Sequence, residues 1–424
     1  MKRYQDIVGH INYALFLALV ALLPFPQIYL RYAFVLWLVV WLLEGRWLKK
    51  PNLRCTIDHI QFVPFLLFGL WFAWKAVSYF WSPDSDAWSW QMERYMAFAL
   101  LMPIGLWGVN DRYNWRQISK VLAISCVVAI PLYVIWMAVL FYHPELVPYL
   151  DLKEPWTRHA EWWVFLSDNI SHFKHRLFLC SVEMIGAVTA IMVWREKKWV
   201  WMVMVPVMLS SIFLTGSRQA ILTAAAMLVV GIICAIPHKY RLRYGIGILL
   251  LGMLAGGGLL KMHPRMQQFN MHAITEMRDV SYEHDVRFNI YGCALQQPSD
   301  YLAYGLGAGQ STAYLMEKYQ EKGFDYYILK HYHAHNQYLE ELMEIGIPGL
   351  LLFLLAWLSV PFCARKENRV FALLFFTLFA MNMLTDCMFG KFDGIVLWAV
   401  GFVLIFLQPY AEGEQQAARN AETH

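Results

Sequence analysis

A series of apolar stretches, most of them about 17 to 25 residues long, constrains this chain more than any other feature. A helix of that length crosses roughly 30 Å of hydrocarbon, and no polar linkers of the kind that separate soluble domains stand between the stretches. Composition agrees, because 59% of the residues are hydrophobic and only 16% are charged. Soluble domains are about half apolar and a quarter charged. The sequence therefore excludes a soluble enzyme, a secreted disulfide scaffold, a nucleic-acid binder and a disordered chain.

Twelve such stretches predict an all-α integral membrane protein with about twelve transmembrane helices. Their approximate limits are 8–24, 28–45, 57–81, 94–110, 119–142, 176–194, 199–216, 218–236, 244–260, 336–363, 370–389 and 394–408. Met1, Lys2 and Arg3 lead into an apolar run with no small-residue cleavage site before Pro24, so we expect the first span to be retained.

The spans are interrupted by two long segments, which divide the chain. We expect helices 1 to 9 in residues 1–260, with a loop at about 143–175, and a large loop in residues 261–335. Helices 10 to 12 follow in residues 336–410, and residues 411–424 form a tail. A loop as long as the second one is usually functional.

Basic residues mark every second turn between spans and predict the orientation. These turns contain Lys2 and Arg3; Arg46, Lys49, Lys50 and Arg54; Arg112, Arg116 and Lys120; Arg195, Lys197 and Lys198; Lys239, Arg241 and Arg243; Arg365, Lys366 and Arg369. The short opposite turns carry one Arg or Lys each. By the positive-inside rule, both termini are expected in the cytoplasm and both long loops on the outer face.

Arg218 lies where one span ends on the outer face and the next begins almost at once, after Gly216 and Ser217. This places it in the first turn of a helix, where free N–H groups and the helix dipole already favour an anion and a guanidinium adds a bidentate donor. The alternative is an Arg that extends to the membrane interface. An Arg on the face that the rule keeps poor in positive charge favours a functional role.

Arg287 lies in the large loop, two residues after Asp285. Alone it is typical of a solvated surface charge. It is followed by the glycine-rich segment from Tyr304 to Ser311, whose alternating glycines allow either close backbone approach to a ligand or a tightly packed turn. The segment is not a dinucleotide-binding motif, because no strand and helix frame it.

Three alternating histidines, His331, His333 and His335, precede the tenth span. They face one side only if the segment is extended, and no cysteine or carboxylate nearby in sequence completes a metal shell. We therefore predict no metal site and no cofactor, and favour one catalytic histidine. With Asn336 or a neighbour capping the helix, His335 would stand at its N-terminus, where the dipole keeps the imidazole neutral as a general base requires.

Three further features have weaker claims. Asp84 and Asp86 form a D-x-D pair that can hold a divalent ion on a pyrophosphate, but the run around them is also a good turn and helix start, which we favour. Lys75 and Asp386, near the outer ends of their spans, are secondary candidates for substrate contacts, with ion pairing as the alternative. The cysteines support neither disulfides nor a Cys-rich metal site, because only Cys293 lies in a long polar segment.

The predicted orientation places Arg218, Arg287 and His335 on the same outer face, although more than a hundred residues separate the first from the last. Two cations and one base at a membrane surface suit a substrate with an anionic leaving group and a hydroxyl nucleophile. His333, Ser217 and Asn336 are secondary candidates beside these three residues.

These motifs resemble those of the O-antigen ligase and polymerase family of bacterial envelopes. The resemblance rests on Ser217 with Arg218, on Arg287 followed by the Gly305 to Gly307 segment, and on His335 to Leu339 leading into Glu344 to Gly349. It covers mainly residues 200–350, and its motifs are specific in combination. The twelve spans and the long loop before the tenth are also similar to that family, whose fold is of the GT-C glycosyltransferase type.

The resemblance implies transfer of a glycan from an undecaprenyl-pyrophosphate carrier to a sugar of the lipid A–core, at the periplasmic face of the bacterial inner membrane. It implies an inverting, metal-independent mechanism in which His335 is the base and Arg218 and Arg287 hold the pyrophosphate. Membrane lipids are then partners and nucleic acid is not. A polymerase or a protein-directed oligosaccharyltransferase of the same family stays open, and a twelve-helix transporter is the alternative from another class.

Overall fold

In a computed structural model, the chain is described over residues 2–48, 59–107, 109, 112–147, 165–166, 169–237, 239–240, 247 and 286–406, and every regular element in these residues is helical. The longer helices are α1 (Lys2–Leu22), α2 (Gln27–Leu43), α3 (His59–Val77), α4 (Ser85–Trp107), α5 (Trp115–Tyr142), α6 (Arg176–Val193), α7 (Lys198–Thr215), α8 (Arg218–Ala235), α9 (Val286–Ala294), α10 (Gln310–Glu321), α11 (Asp325–Leu329), α12 (Gln337–Cys363), α13 (Arg369–Met383) and α14 (Phe392–Phe406). Short 3-10 turns lie at Arg46–Leu48, Ser78–Phe80, Pro144–Leu146, Ile170–His172, Pro298–Asp300 and Met388–Gly390.

The apolar helices agree with a multi-pass membrane protein. Within the described ranges, 7 helices are long and apolar enough to cross a membrane, namely α1, α3, α5, α6, α7, α8 and α12. Helices α2, α13 and α14 are apolar but shorter. The fourth predicted span, at about 94–110, overlaps α4, and the ninth, at about 244–260, falls almost entirely outside the described residues. The total of twelve and the GT-C arrangement stay predictions.

The helices group into two compact units. The first consists of Met1–Thr56, Trp107–Ala224 and Phe392–His424. In it α1 packs on α2 and α5, α5 packs with α6 and α7, and α14 packs on α2 and α6. A buried ion pair joins Lys174 Nζ to Asp393 Oδ1 at 2.7 Å.

The second unit consists of Ile57–Leu106 and Ala225–Lys391, and it contains the large predicted loop. Here α12 packs on α3 and α13. Residues 286–335, predicted as a loop without a span, form the short helices α9, α10 and α11, which pack around a core that includes Ile290, Leu315 and Tyr319. Since three short helices can together bury such a core, this part of the segment is a folded extension of the unit.

Helix α12 is broken at Gly346, where φ is 67° and ψ is −171°. This backbone conformation is essentially restricted to glycine. A break inside an apolar helix frees N–H and C=O groups that hydrocarbon cannot satisfy. One freed carbonyl, that of Ile345, accepts a hydrogen bond from Trp74 Nε1 on α3 at 3.0 Å. The neighbouring carbonyls find their partners elsewhere.

The glycine-rich segment before α10 supplies those partners. The Leu306 N–H donates to the Met343 carbonyl at 2.8 Å, and the Gly307 N–H donates to the Glu344 carbonyl at 2.9 Å. Gly305 approaches so closely that a Cβ there would collide with the Glu344 carbonyl. Of the two roles that the alternating glycines allow, the structure shows the tightly packed turn, and the motif closes the break in α12.

Candidate functional site

His333 and His335 lie side by side just before α12. Their ring centroids are 4.0 Å apart and the rings are nearly stacked, with 28° between their planes. His331 is exposed and does not join them. His335 has a φ of 47°, in the left-handed region, which costs a non-glycine residue on the order of 1–3 kcal/mol and is concentrated at functional sites.

Asn336 and Tyr291 fix the backbone around His335. Asn336 is the N-cap of α12, as predicted, and its Oδ1 accepts from the Leu339 N–H at 3.0 Å. Its Nδ2 donates to the Leu384 carbonyl at 3.2 Å. The Tyr291 hydroxyl on α9 is a hydrogen-bond donor that lies within reach of two carbonyls, that of Leu384 at 3.0 Å and that of His335 at 3.3 Å. Asn336 therefore has a structural role, and the two residues attach the segment to α9 and to the end of α13.

Asp386 lies between the histidines and a lysine. Its Oδ1 is 4.0 Å from His333 Nε2 and 4.0 Å from His335 Nδ1, and its Oδ2 is 3.3 Å from Lys391 Nζ. Cys387 Sγ lies 3.4 Å from His333 Nδ1. We call His333, His335, Asp386 and Cys387 the histidine cluster.

Burial keeps both imidazoles neutral. Desolvation lowers the pKa of His335 to about 3, with the neighbouring His333 and the positive charges of Arg287 and Lys391 acting in the same direction and Asp386 opposing them. Desolvation likewise lowers the pKa of His333 to about 4. The sequence predicted a neutral His335 from the helix dipole; the structure adds burial as the principal cause. A neutral ring is the form that accepts a proton.

Arg287 stands in the first turn of α9 with an exposed side chain. It belongs to the same unit as the histidines, and its charge acts on His333, His335 and Tyr291. An exposed guanidinium within electrostatic reach of a neutral imidazole pairs an anion-binding group with a base.

Lys75, a secondary candidate, proves to be buried in an ion cluster. Its Nζ lies 2.9 Å from Glu341 Oε1 and 2.9 Å from Glu344 Oε2, with all three side chains inaccessible to solvent or nearly so. The Trp71 indole donates to Glu341 Oε2 at 2.9 Å, and the ammonium lies 4.3 Å from the centroid of the Tyr95 ring. The structure thus shows the ion-pairing alternative for Lys75. We call Lys75, Glu341 and Glu344 the lysine cluster.

Gln337 connects the two clusters. Its Nε2 donates to Glu341 Oε1 at 2.8 Å and lies 3.3 Å from the Tyr95 hydroxyl, and its Oε1 accepts from the Phe389 N–H at 2.9 Å. Gln337 follows His335 by two residues, and Phe389 follows Cys387 by two. The buried side-chain amide of Gln337 therefore links the lysine cluster to both chain segments that form the histidine cluster.

Arg218 and Ser217 lie in the first unit, where the structure agrees with the predicted short turn. Helix α7 ends at Thr215, Gly216 adopts a φ of 57°, and α8 begins at Arg218. The Ser217 hydroxyl oxygen accepts from the Ala220 N–H at 3.3 Å, as a helix-capping residue does. Arg218 is half-buried in the first turn of α8. Its convergence with Arg287 and His335 stays a prediction.

The Asp84–Asp86 pair is a helix start. Asp84 Oδ1 accepts from the N–H groups of Asp86 and Ala87 at 2.8 and 3.1 Å, directly before α4. The favoured interpretation of this run is confirmed.

The prediction that the histidines lack a metal shell left out ligands that are distant in the chain. It depended on the absence of a cysteine or carboxylate near the histidines, and the fold brings two sets together, each with ligand atoms within 4.8 Å of one another: His333, His335 and Asp386, and His333, Glu340 and Cys387. Asp386 and Cys387, which complete the two sets, lie about fifty residues from His333 in the chain, so local spacing does not reveal them.

Sequence reasoning also missed Lys391, Tyr291 and the carboxylates of Glu341 and Glu344. Lys391 had a signal, because it is the one basic residue of a turn predicted on the outer face. The two glutamates had another, because acidic residues inside an apolar span require a partner.

Part of the chain matches the model of a known protein family. The model of the O-antigen ligase family matches residues 203–354, a range that includes Arg218, Arg287, His333 and His335 but neither Lys75 nor Asp386. No curated protein matches the chain.

Proposed function

From the match of residues 203–354 to the O-antigen ligase family, we propose that the chain is a membrane glycosyltransferase that moves a glycan from undecaprenyl pyrophosphate to a sugar hydroxyl of the lipid A–core. The observation that carries this proposal is the pair of neutral, partly exposed imidazoles beside Asp386, which lie within the family match and directly before α12. The family match supports the bacterial inner membrane as the location, and the pattern of basic turns supports cytoplasmic termini and a site on the periplasmic face.

His335 is the proposed base. Asp386 faces Nδ1 of the ring, so a proton on Nδ1 leaves Nε2 with a free lone pair for the acceptor hydroxyl. As the hydroxyl attacks the anomeric carbon, the bond to the pyrophosphate oxygen breaks and Nε2 takes the proton. The carboxylate of Asp386 then stabilises the imidazolium that forms. Attack opposite the leaving group inverts the anomeric configuration.

Arg287 and Arg218 are the proposed partners of the pyrophosphate. A departing pyrophosphate gains negative charge in the transition state, and guanidinium groups that already face it lower the barrier without a metal ion. Arg287 is exposed at the start of α9, and Arg218 stands at the N-terminus of α8, where backbone N–H groups add to its charge. Lysine at either position should restore transfer only in part, because it lacks the bidentate geometry.

A polymerase of the same family is the second candidate, and a protein-directed oligosaccharyltransferase the third. We favour the ligase because the family model that matches residues 203–354 is that of the O-antigen ligases. A transporter is disfavoured, because transporter sites lie at the membrane midplane between repeated halves. The polar candidates here cluster at helix ends.

The experiment that separates ligase from polymerase uses a strain that lacks this protein. A ligase predicts carrier-linked long glycan that accumulates while the lipid A–core stays bare. Single repeat units attached to the core would instead show a polymerase. For the transporter, purified protein in detergent is decisive, since turnover of a lipid-linked glycan without compartments cannot come from transport.

A further inference from the structure

We propose that the histidine cluster binds Zn²⁺ through His333, His335 and Asp386, and that bound Zn²⁺ switches the site off. Zinc binding itself follows from the geometry of these side chains. The inhibitory effect depends on the proposed function, because it requires His335 to be the base.

The spacing of the ligand atoms suits a tetrahedral ion. Ligands at about 2.0–2.3 Å from such an ion lie roughly 3.3–3.8 Å from one another. In the cluster, Asp386 Oδ1 is 4.0 Å from both His333 Nε2 and His335 Nδ1, and all three ligand atoms lie within 4.8 Å. Small side-chain rotations therefore bring the three atoms into a shell, and the remaining position stays open to water.

The chemistry of the donors selects the metal. Two imidazole nitrogens and one carboxylate oxygen are typical ligands of Zn²⁺, whereas Mg²⁺ and Ca²⁺ prefer oxygen ligands alone. Cys387 adds a second partner. When His333 binds a metal through Nε2, its proton moves to Nδ1, which lies 3.4 Å from the Cys387 sulfur, and ligating histidines commonly donate from the other ring nitrogen in this way.

Metal binding also has a cost that the structure identifies. His333 Nδ1 now accepts from the His335 N–H at 3.2 Å, and a proton on Nδ1 removes that hydrogen bond. Asp386 Oδ2 also faces Lys391 Nζ at 3.3 Å, a cation next to the site. Both effects weaken the site, so we expect a reversible zinc affinity in the micromolar range, weaker than that of closed structural zinc sites.

The tautomer of His335 explains the inhibition. Zn²⁺ on Nδ1 places the ring proton on Nε2, the nitrogen that the proposed mechanism needs as a proton acceptor. The ion also occupies the carboxylate of Asp386, which would otherwise stabilise the imidazolium. Zinc should therefore suppress transfer, and chelation should leave the activity of zinc-free protein unchanged.

Titration calorimetry with zinc-free full-length protein in detergent, without donor, tests the site directly. We expect one saturable Zn²⁺ per chain, at least tenfold weaker binding for His335→Ala and Asp386→Asn, and unchanged binding for His331→Ala, the exposed neighbour that serves as the matched control. Co²⁺ in place of Zn²⁺ should give the visible absorption of a tetrahedral site. Equal binding by His335→Ala and the unmutated protein, or no saturable binding, would overturn the proposal.

Transfer assays then test the inhibitory effect. Micromolar Zn²⁺ should reduce transfer more than tenfold, EDTA should restore it, and the same concentration of Mg²⁺ should have no effect. Full transfer with the zinc site occupied would overturn the inhibitory switch. If zinc-free protein binds Zn²⁺ as expected but never transfers glycan, the proposed function fails while the zinc site stands.

Discussion

The lysine cluster includes two glutamates in the first turns of α12, the histidine cluster includes two histidines just before α12, and the two clusters differ in how firmly their side chains are held. In the lysine cluster, Lys75 lies 2.9 Å from each of two carboxylates, and its side chain is 0% exposed. In the histidine cluster, the histidine side chains are 29% and 24% exposed and lie 4.0 Å from the Asp386 carboxylate. The ion pairs of the lysine cluster are already at hydrogen-bonding distance. The contacts between the two histidines and Asp386 are longer and can still shorten.

This difference separates a structural role from a chemical one. A buried cation between two carboxylates must stay paired, because an unpaired charge in a low-dielectric interior is costly. Side chains that reorganise as a substrate arrives need some exposure and some slack in their hydrogen bonds. Gln337 lets the closed cluster support the open one, since it donates to Glu341 and its oxygen accepts from the Phe389 N–H.

Removal of the buried cation should have the largest effect on stability. Lys75→Met leaves Glu341 and Glu344 buried side by side without their counterion, which should cost about 3–5 kcal/mol. Thermal unfolding in detergent measures this. The matched control is Lys322→Met at the exposed end of α10, which should change stability by no more than about 0.5 kcal/mol. If Lys75→Met unfolds at the same temperature as the unmutated protein, the buried ion pairs of the lysine cluster do not stabilise the fold.

The glycine turn that closes the break in α12 should come next. Gly305→Ala adds both a left-handed alanine, at a φ of 82°, and a collision with the Glu344 carbonyl. We expect a loss of about 2–5 kcal/mol, the sum of the two costs. Gly323→Ala is the matched control, because its φ is 68° and a Cβ there meets nothing within 4 Å.

Comparison of the two alanine variants isolates the energetic effect of the close contact between Gly305 and the Glu344 carbonyl. Gly323→Ala should lose only the cost of the left-handed conformation, about 1–2 kcal/mol. Equal unfolding temperatures for the two variants would mean that the contact between the glycine segment and α12 contributes nothing to stability.

The smallest expected effect is the response of transfer to mild acid. An ordinary histidine, with a pKa of about 6.5, is about nine-tenths protonated at pH 5.5. Burial, His333, Arg287 and Lys391 lower the pKa of His335 to about 3 against the attraction of Asp386, so the base stays neutral throughout this range. Transfer should change by less than about twofold between pH 7 and pH 5.5, over which the unfolding temperature serves as the control. A tenfold fall with a midpoint near pH 6.5 would contradict the buried-base account.

Local sequence patterns were sufficient to predict helices, caps and turns. They were not sufficient to predict which distant residues contact one another. The Asn336 cap, the helix start at Asp84 and the turn before Arg218 depend on a few adjacent residues, and the structure contains all three. The length of the apolar stretches likewise marked the long helices. These features could be predicted because their hydrogen bonds lie within one or two turns of chain.

The clusters depend on contacts across the chain, which no local pattern contains. Lys75 and Glu341 are separated by 266 residues, and Asp386 reaches His335 only because the end of α13 lies against the start of α12. A broken helix is also hard to predict. Gly346 is visible in the sequence, but the sequence does not show which distant segment donates hydrogen bonds to the carbonyls beside it. The metal prediction failed to consider Asp386 and Cys387 for the same reason.

The central claim is that His335 is the base, and single-turnover transfer at saturating donor in the presence of EDTA tests it most directly. His335→Ala should lose about 10²- to 10⁴-fold in rate, while it keeps the unfolding temperature of the unmutated protein and still binds the carrier-linked donor. His333→Ala should be milder, because His333 is separated from the helix start by His335. Near-normal transfer by His335→Ala with loss in His333→Ala would assign the base to the other imidazole, and normal transfer by both would contradict acid–base catalysis at this site.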